Sequence, residues 1–282
     1  MEARVGETFR KRLIVFYIPL LLFLVALLFP FYWMLITSIK PDVELYNARN
    51  APFFVWRPTL EHWFYLFKST LFTRWAWNTL GIATASTAVS LVAGVLAGYA
   101  LSRLQFPGST SLGIIIFITY LVPPTLLFIP LASVVAELHL LDSPWALILT
   151  YPTFLIPFSA WLLMGYFKTI PKELEECARI DGATRLQAMT KIVLPLGMPG
   201  ILSAGIFAFT LSWNEFLYAL VFISSPQQKT IPVGVVSELI KGDVFFWGAL
   251  MAGALFGSVP VAFVYSFFVE HYVSGVTGAV KG

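Results

Sequence analysis

Along the chain, long uncharged apolar runs alternate with short polar stretches. Six runs contain no Asp, Glu, Lys or Arg: Leu13–Ile39, Trp75–Ser102, Leu104–Ala136, Ser143–Phe167, Ile192–Asn214 and Val244–Val269. About 20 apolar residues in helical form cross the hydrocarbon of a bilayer, so each run is long enough for one crossing. Within a run the apolar residues are continuous and do not alternate, which favours helices over a β-barrel. The pattern predicts an all-α integral membrane protein with six transmembrane helices. The first run follows Arg10-Lys11-Arg12, as the apolar part of a secretory leader would. It is too long for a cleaved apolar core, and a retained first span over residues 13–39 is expected.

Composition agrees: 58% of the residues are hydrophobic, 16% aromatic and only 12% charged, against about 25% charged in soluble domains. Lys and Arg set the expected orientation. With six spans both termini share one side, and that side also holds the loops Arg103–Thr110 and Lys168–Lys191. It carries eleven Lys and Arg, against seven on the other side. The denser side, and with it both termini, is expected in the cytoplasm. The net charge of +3 then reflects topology and does not imply nucleic-acid binding. A lone Cys177 cannot form an internal disulfide, and no Cys/His cluster has metal-ligand spacing. No repeat or Pro/Gly/Ser linker divides the chain, so one membrane domain over 1–282 is expected, with a core at about 71–275.

The most polar stretch between two spans is Glu173–Pro195, "ELEECARIDGATRLQAMTKIVLP". Pro171 suits a first helical turn, and Glu173, Glu175 and Glu176 suit the positive end of the helix dipole. Ile170, Leu174, Cys177 and Ala178 predict a narrow apolar face. Gly182 is placed to end the helix, and Thr184 with Gln187 has capping-box spacing for a second helix. The residues leave two readings: an amphipathic segment lying on lipid headgroups, or a dock for another protein. The leading acids would be repelled by an anionic leaflet, and the small Cys177, Ala178 and Ala183 suit close protein contact.

Glu176-Cys177-Ala178, Asp181-Gly182-Ala183 and Ile192-Val193-Leu194-Pro195 together resemble the "EAA" loop of bacterial ABC importer permeases, with Cys177 where the family usually has alanine. "NTLGIATASTAVSLVAGVLAGYALSRLQFPG" (Asn78–Gly108), "SWNEFLYAL" (Ser212–Leu220), "TIPVG" (Thr230–Gly234) and the terminal "TGAVKG" are similar to the carbohydrate-uptake branch, above all to the six-span second permease of maltose- and trehalose-type importers. The resemblance implies a type I importer permease fold, with a cytoplasmic coupling helix between spans four and five. Glu175, Glu176, Cys177, Ala178, Asp181, Gly182 and Ala183 would then couple to the ATPase. It further implies a multi-pass protein of the bacterial plasma membrane without enzymatic activity. The implied partners are a homologous permease, two ATP-binding cassette subunits, an external solute-binding protein, a sugar or polyol substrate and membrane lipid. No cofactor is expected on this chain, since ATP and Mg belong to the ATPase. The tail Ser274–Gly282 would reach between the ATPase subunits.

Other features are read beside this. Pro58–Thr70 places Leu60, Trp63, Phe64 and Phe67 on one helical face, as an interfacial anchor or a partner-receiving helix would. Pro123-Pro124 interrupts the third run, and broken helices line midplane sites in transporters. Asn214 and Glu215 lie where a fifth crossing ends, yet "FLYALVFI" continues the apolar run. Glu215 either marks the membrane boundary or is an intramembrane carboxylate facing a polar cavity. In related permeases this region lines the path. Trp213 offers a ring face and Asn214 an amide, a pairing that suits a sugar. Trp213, Asn214, Glu215, Pro123 and Pro124 are thus candidates for the substrate path or gate, and the loop Phe216–Asp243 is expected to reach into the binding protein. An integral membrane enzyme or an ion-coupled secondary transporter is the alternative. Against the enzyme, His62, His139 and His271 lie outside the runs and far apart, and no catalytic constellation appears. Against the transporter, the runs hold no ionisable relay. A GxxxxGK[ST] phosphate loop is absent as well.

Overall fold

The structure, a computed structural model, describes residues 11–47, 52–104 and 106–280, with the side chains of 264 and 267–280 left aside. Arg10, the last two residues of the tail Ser274–Gly282 and the tail's side chains therefore lie outside it. The described residues form two compact units: those up to Thr70 with Val235–Phe256, and Leu71–Gly234 with those from Gly257 on.

In the first unit, α1 (Leu13–Ile39) is a continuous apolar helix. Every residue from 11 to 32 is exposed, and burial begins only near Ile36, Thr37 and Ser38. Beyond it come the single turn α2 (Asp42–Leu45) and α3 (Glu61–Ser69). The connection is held by side chains: Glu44 accepts from the amides of Trp56 (3.1 Å) and Arg57 (3.0 Å), and Lys40 Nζ donates to Pro52 O at 3.1 Å. The helix predicted within Pro58–Thr70 is present, and most of its predicted apolar face is open. Leu66 is the fully buried residue, while Leu60, Phe64 and Phe67 stay exposed and Trp63 is half-buried, donating to Ser38 Oγ at 3.3 Å.

The sixth run is predicted to be helical from Val244. Instead Ile240–Lys241 (β1) pairs antiparallel with Val244–Phe245 (β2) across a turn at Gly242, whose φ of 59° suits glycine. The all-α expectation is thus amended by a two-residue ladder, and α13 (Trp247–Val280) starts after it. Tyr46 OH donates to Phe245 O at 2.7 Å, and Tyr65 stacks on Phe246.

In the second unit, α4 (Phe72–Arg103) is the central rod. Its 32 residues extend about 48 Å at 1.5 Å per residue. It buries a stripe of small residues, including Thr79, Ala83, Ser86, Ser90, Gly94 and Gly98, which lets the backbone of α7 (Pro144–Lys168) approach closely. A Cβ at Gly94 would stand 2.6 Å from that of Ser159, and one at Gly98 2.9 Å from that of Leu163. Thr79 and Ser86 hydroxyls donate to the carbonyls of Trp75 and Ile82, four residues back, so they enter the apolar contact already paired.

Two predicted single spans are bent pairs. Leu104–Ala136 becomes α5 (Ser109–Leu121) and α6 (Pro124–Glu137), meeting at 92°. Pro123 and Pro124 lack amide hydrogens, and a proline pushes the preceding residue out of the α region. Val122 (ψ 121°) and Pro123 (ψ 127°) are accordingly extended. The fifth crossing divides into α9 (Arg185–Leu196) and α10 (Met198–Trp213), bent by 74°. The bend falls at Gly197, where the Phe167 ring presses so closely that a Cβ would lie 2.6 Å from it. The long loop predicted after Glu215 also carries structure: α11 (Leu217–Phe222) and α12 (Ile231–Leu239).

Candidate functional site

Two places in the second unit gather the residues singled out by sequence. The first is the polar insert. α8 (Lys172–Ile180) ends in a paired closure: Gly182 N–H donates to Arg179 O at 3.1 Å and Ala183 N–H to Ala178 O at 3.0 Å, with Gly182 left-handed at φ 92°. This is the six-to-one and five-to-two pattern that glycine closes most easily. Thr184 and Gln187 then exchange side chain and backbone bonds in a full capping box that starts α9, as their spacing predicts.

The apolar face predicted for α8 is divided between its two sides. Ile170 is buried ahead of the helix, but Leu174, Cys177 and Ile180 face outward, and the side turned to the protein carries Glu175 and Ala178. Electrostatics decide this. Glu175 Oε1 accepts from Tyr99 OH, and Glu175 Oε2 lies 3.8 Å from Arg103 Nε, both partners being on α4. Glu176, Asp181 and Gly182 are exposed and Ala183 is half-buried. Together α8 and the start of α9 present Leu174, Cys177, Ile180 (85% exposed) and Leu186 (66% exposed) among charged neighbours.

The second place is where interrupted helices meet. α10 stops at Trp213, and Glu215 receives the free amides of the next turn: Tyr218 N–H donates to Oε1 at 2.8 Å and Ala219 N–H to Oε2 at 3.1 Å. Tyr151 OH, at the turn within α7, donates to the same Oε2 at 2.9 Å. Tyr218 OH donates to Pro124 O at 3.0 Å. The Pro123-Pro124 break, the α7 turn and the end of α10 are thereby joined through Glu215 and Tyr218. Sequence reasoning named Pro123, Pro124, Asn214 and Glu215 but missed Tyr151 and Tyr218. For Tyr151 the signal was available: a half-buried carboxylate needs donors, and a tyrosine beside Pro152 in an uncharged run is a ready one.

Trp213 stands apart from this group. It is only 4% exposed, and its Nε1–H donates to Gly257 O at 2.9 Å, so its ring is packed inside the protein and presents no open stacking face. Asn214 is exposed, with Nδ2 donating to Thr210 O at 2.9 Å. The stretch Ser224–Thr230, read as a reaching loop, is tied down. Asp142 accepts from the amides of Ser224 (3.0 Å) and Ser225 (2.8 Å) and from the Ser225 hydroxyl. Those bonds hold the Asp142 carboxyl below its ordinary pKa, the hydroxyl contributing most. From α4, Trp75 Nε1–H donates to Pro226 O at 2.7 Å, and Asn78 Nδ2 to Gln227 O and Lys229 O at 2.8 and 2.9 Å.

Residues 90–278 match the family described as binding-protein-dependent transport system inner membrane component. The chain belongs to that family. It is 36% identical to the inner membrane ABC transporter permease protein YcjP of Escherichia coli (strain K12), over 95% of this chain and 96% of that one. It is 32% identical to the trehalose/maltose transport system permease protein MalG of Thermococcus litoralis, over 98% and 99%. Its fold matches a solved bacterial ABC transporter involved in the import of the acidic polysaccharide alginate, with a TM-score of 0.77 at 22% identity, covering 92% of this chain and 95% of that one. The protein is thus a permease subunit with the ABC importer fold, a multi-pass protein of the inner membrane. It is not itself an enzyme, because in this family the ATPase is a separate subunit. The enzyme and ion-coupled alternatives are set aside.

Proposed function

We propose that this permease carries a sugar or related polyol across a bacterial plasma membrane and docks an ATP-binding subunit through the outward face of α8 and the start of α9. The observation that carries the docking is the exposed apolar row Leu174, Cys177, Ile180 and Leu186 in the most polar segment between two spans. Such a row, framed by exposed Glu173, Glu176 and Arg179, has the apolar centre and charged rim of a protein contact. Both termini and the α8 end lie in the cytoplasm, in keeping with the Lys and Arg distribution. A homologous permease completes the pathway, two ATP-binding subunits hold ATP and Mg, and a solute-binding protein delivers the sugar from outside.

ATP closes the paired ATPases and draws α8 with them, which turns the spans so that the pathway opens toward the binding protein. The exposed Asn214 amide and the Pro123-Pro124 break, which Tyr218 ties to Glu215, lie along the sugar's route. The sugar reading is supported by the trehalose/maltose relative, which aligns with nearly the whole chain. Its test is ATP-dependent uptake by the assembled complex in proteoliposomes, with labelled disaccharides, polyols and amino acids offered in parallel. Uptake of a saccharide or polyol is expected; uptake of amino acids alone would sink the assignment.

A further inference from the structure

We propose that Glu175 is a positioning residue that fastens the coupling helix α8 to the end of α4, making α4 the rod that carries movement of the dock through the membrane. This rests on the reading that α8 docks the ATPase. Of the acids at the start of α8, Glu173 and Glu176 are exposed, whereas the Glu175 side chain is only 13% exposed. It meets Tyr99 and Arg103, which lie four residues apart and so on one face of α4.

Arg103 grips twice. Its side chain is 2% exposed; Nη2 donates to Ile170 O at 2.7 Å, just ahead of α8, and Nε stands 3.8 Å from Glu175 within α8. Nε and Nη1 have no hydrogen-bond partner in this structure. A buried guanidinium with two idle donors facing a carboxylate is held by charge and has room to tighten. Tyr99 and Ile170, which bond Glu175 and Arg103, belong to an apolar cluster with Phe167, Met189 and Val193.

The other end of α4 is fastened too. Trp75 and Asn78 hold the carbonyls of Pro226, Gln227 and Lys229, and Thr79 Oγ1 accepts from Ile231 N–H at 2.8 Å. Other candidate spans of this unit are bent by 92° or 74°, or carry a turn at Tyr151. α4 runs unbroken between its two attachments, so a displacement of α8 passes along it to the Ser224–Ile231 stretch.

The test is the ratio of sugar taken up to ATP hydrolysed by the complete transporter in proteoliposomes, for Glu175→Gln, Tyr99→Phe and the double variant, with ATPase subunit retained on purification measured alongside. Glu175→Gln keeps an acceptor for Tyr99 but removes the charge facing Arg103; Tyr99→Phe does the reverse. Each is expected to retain the ATPase subunit while uptake per ATP falls roughly threefold to tenfold, the factor carried by one net hydrogen bond. The double variant should fall below either single, because each single removes a different one of the two contacts that Glu175 makes. An unchanged ratio in all three overturns the inference, as does a double variant that retains the parent's ratio. Loss of the ATPase subunit from Glu175→Gln would place Glu175 on the dock itself and overturn it while leaving the docking reading intact. That reading fails separately if Ile180→Asp retains the ATPase subunit as the parent does.

Discussion

Gly94 and Gly98 set how closely α4 approaches α7, because a Cβ at either would fall within 3 Å of Ser159 or Leu163. Gly94→Val is therefore expected to destabilise the protein by about 1–3 kcal/mol, as overpacking of a tight interface does. Gly81→Ala, on the same helix with nothing within 4 Å, should be silent in the same thermal unfolding assay in detergent. Equal behaviour of the two would refute the close-contact account. Asp142 supplies a pH prediction at the same scale. Its folded pKa is depressed, chiefly by the Ser225 hydroxyl. Its stabilisation is thus complete above the unfolded value, about 3.9, and is lost as pH falls through the lower folded value. Hydrogen-exchange protection of Ser224 and Ser225, corrected for intrinsic rates, should persist from neutrality to below the unfolded value of about 3.9 and be lost only as pH falls through the lower folded value. In Asp142→Asn the protection should be reduced at every pH; a parent-like profile would dismiss the carboxylate clamp.

Among the elements, the short α11 owes its start to Glu215, which accepts two of its amides and the Tyr151 hydroxyl. Glu215→Gln turns an NH2 group toward donors and leaves a half-buried donor unmet, at a cost of about 1–3 kcal/mol. It should lower thermal stability, whereas exposed Asn214→Leu should leave stability unchanged and lower uptake. Parent-like stability in Glu215→Gln would show that the carboxylate does not organise this junction, and parent-like uptake in Asn214→Leu would remove Asn214 from the route. These elements show where the sequence was readable. Helix ends governed by local chemistry, such as the Gly182 closure and the Thr184–Gln187 box, could be read from spacing alone. The prolines marked the α5/α6 break but not its 92° angle, since the angle depends on what the two halves pack against. The turned face of α8 was hidden for the same reason: Glu175 points inward because Tyr99 and Arg103 wait there, about 75 residues away in sequence. Nor could composition show that Ser224–Thr230, within the loop expected to reach the binding protein, is held by Asp142, Trp75 and Asn78.

For the whole molecule, absence of charge over membrane length predicted the spans because lipid imposes one rule on every crossing. The family and its ABC permease fold followed from the polar insert and confirm the class that its motifs implied. Left unpredicted were the angles at which two spans bend and the small ladder at Ile240–Phe245. The central claim is that a permease without a nucleotide site of its own is driven through the outward face of α8. Its most direct measurement is the amount of ATP-binding subunit that co-purifies with Ile180→Asp/Leu186→Asp, set beside Val43→Asp as an exposed control outside the spans. The account predicts at least a roughly tenfold loss for the α8–α9 pair, as expected when a carboxylate is buried unpaired in a contact, and parent-like recovery for the control. Parent-like recovery from Ile180→Asp/Leu186→Asp would contradict it.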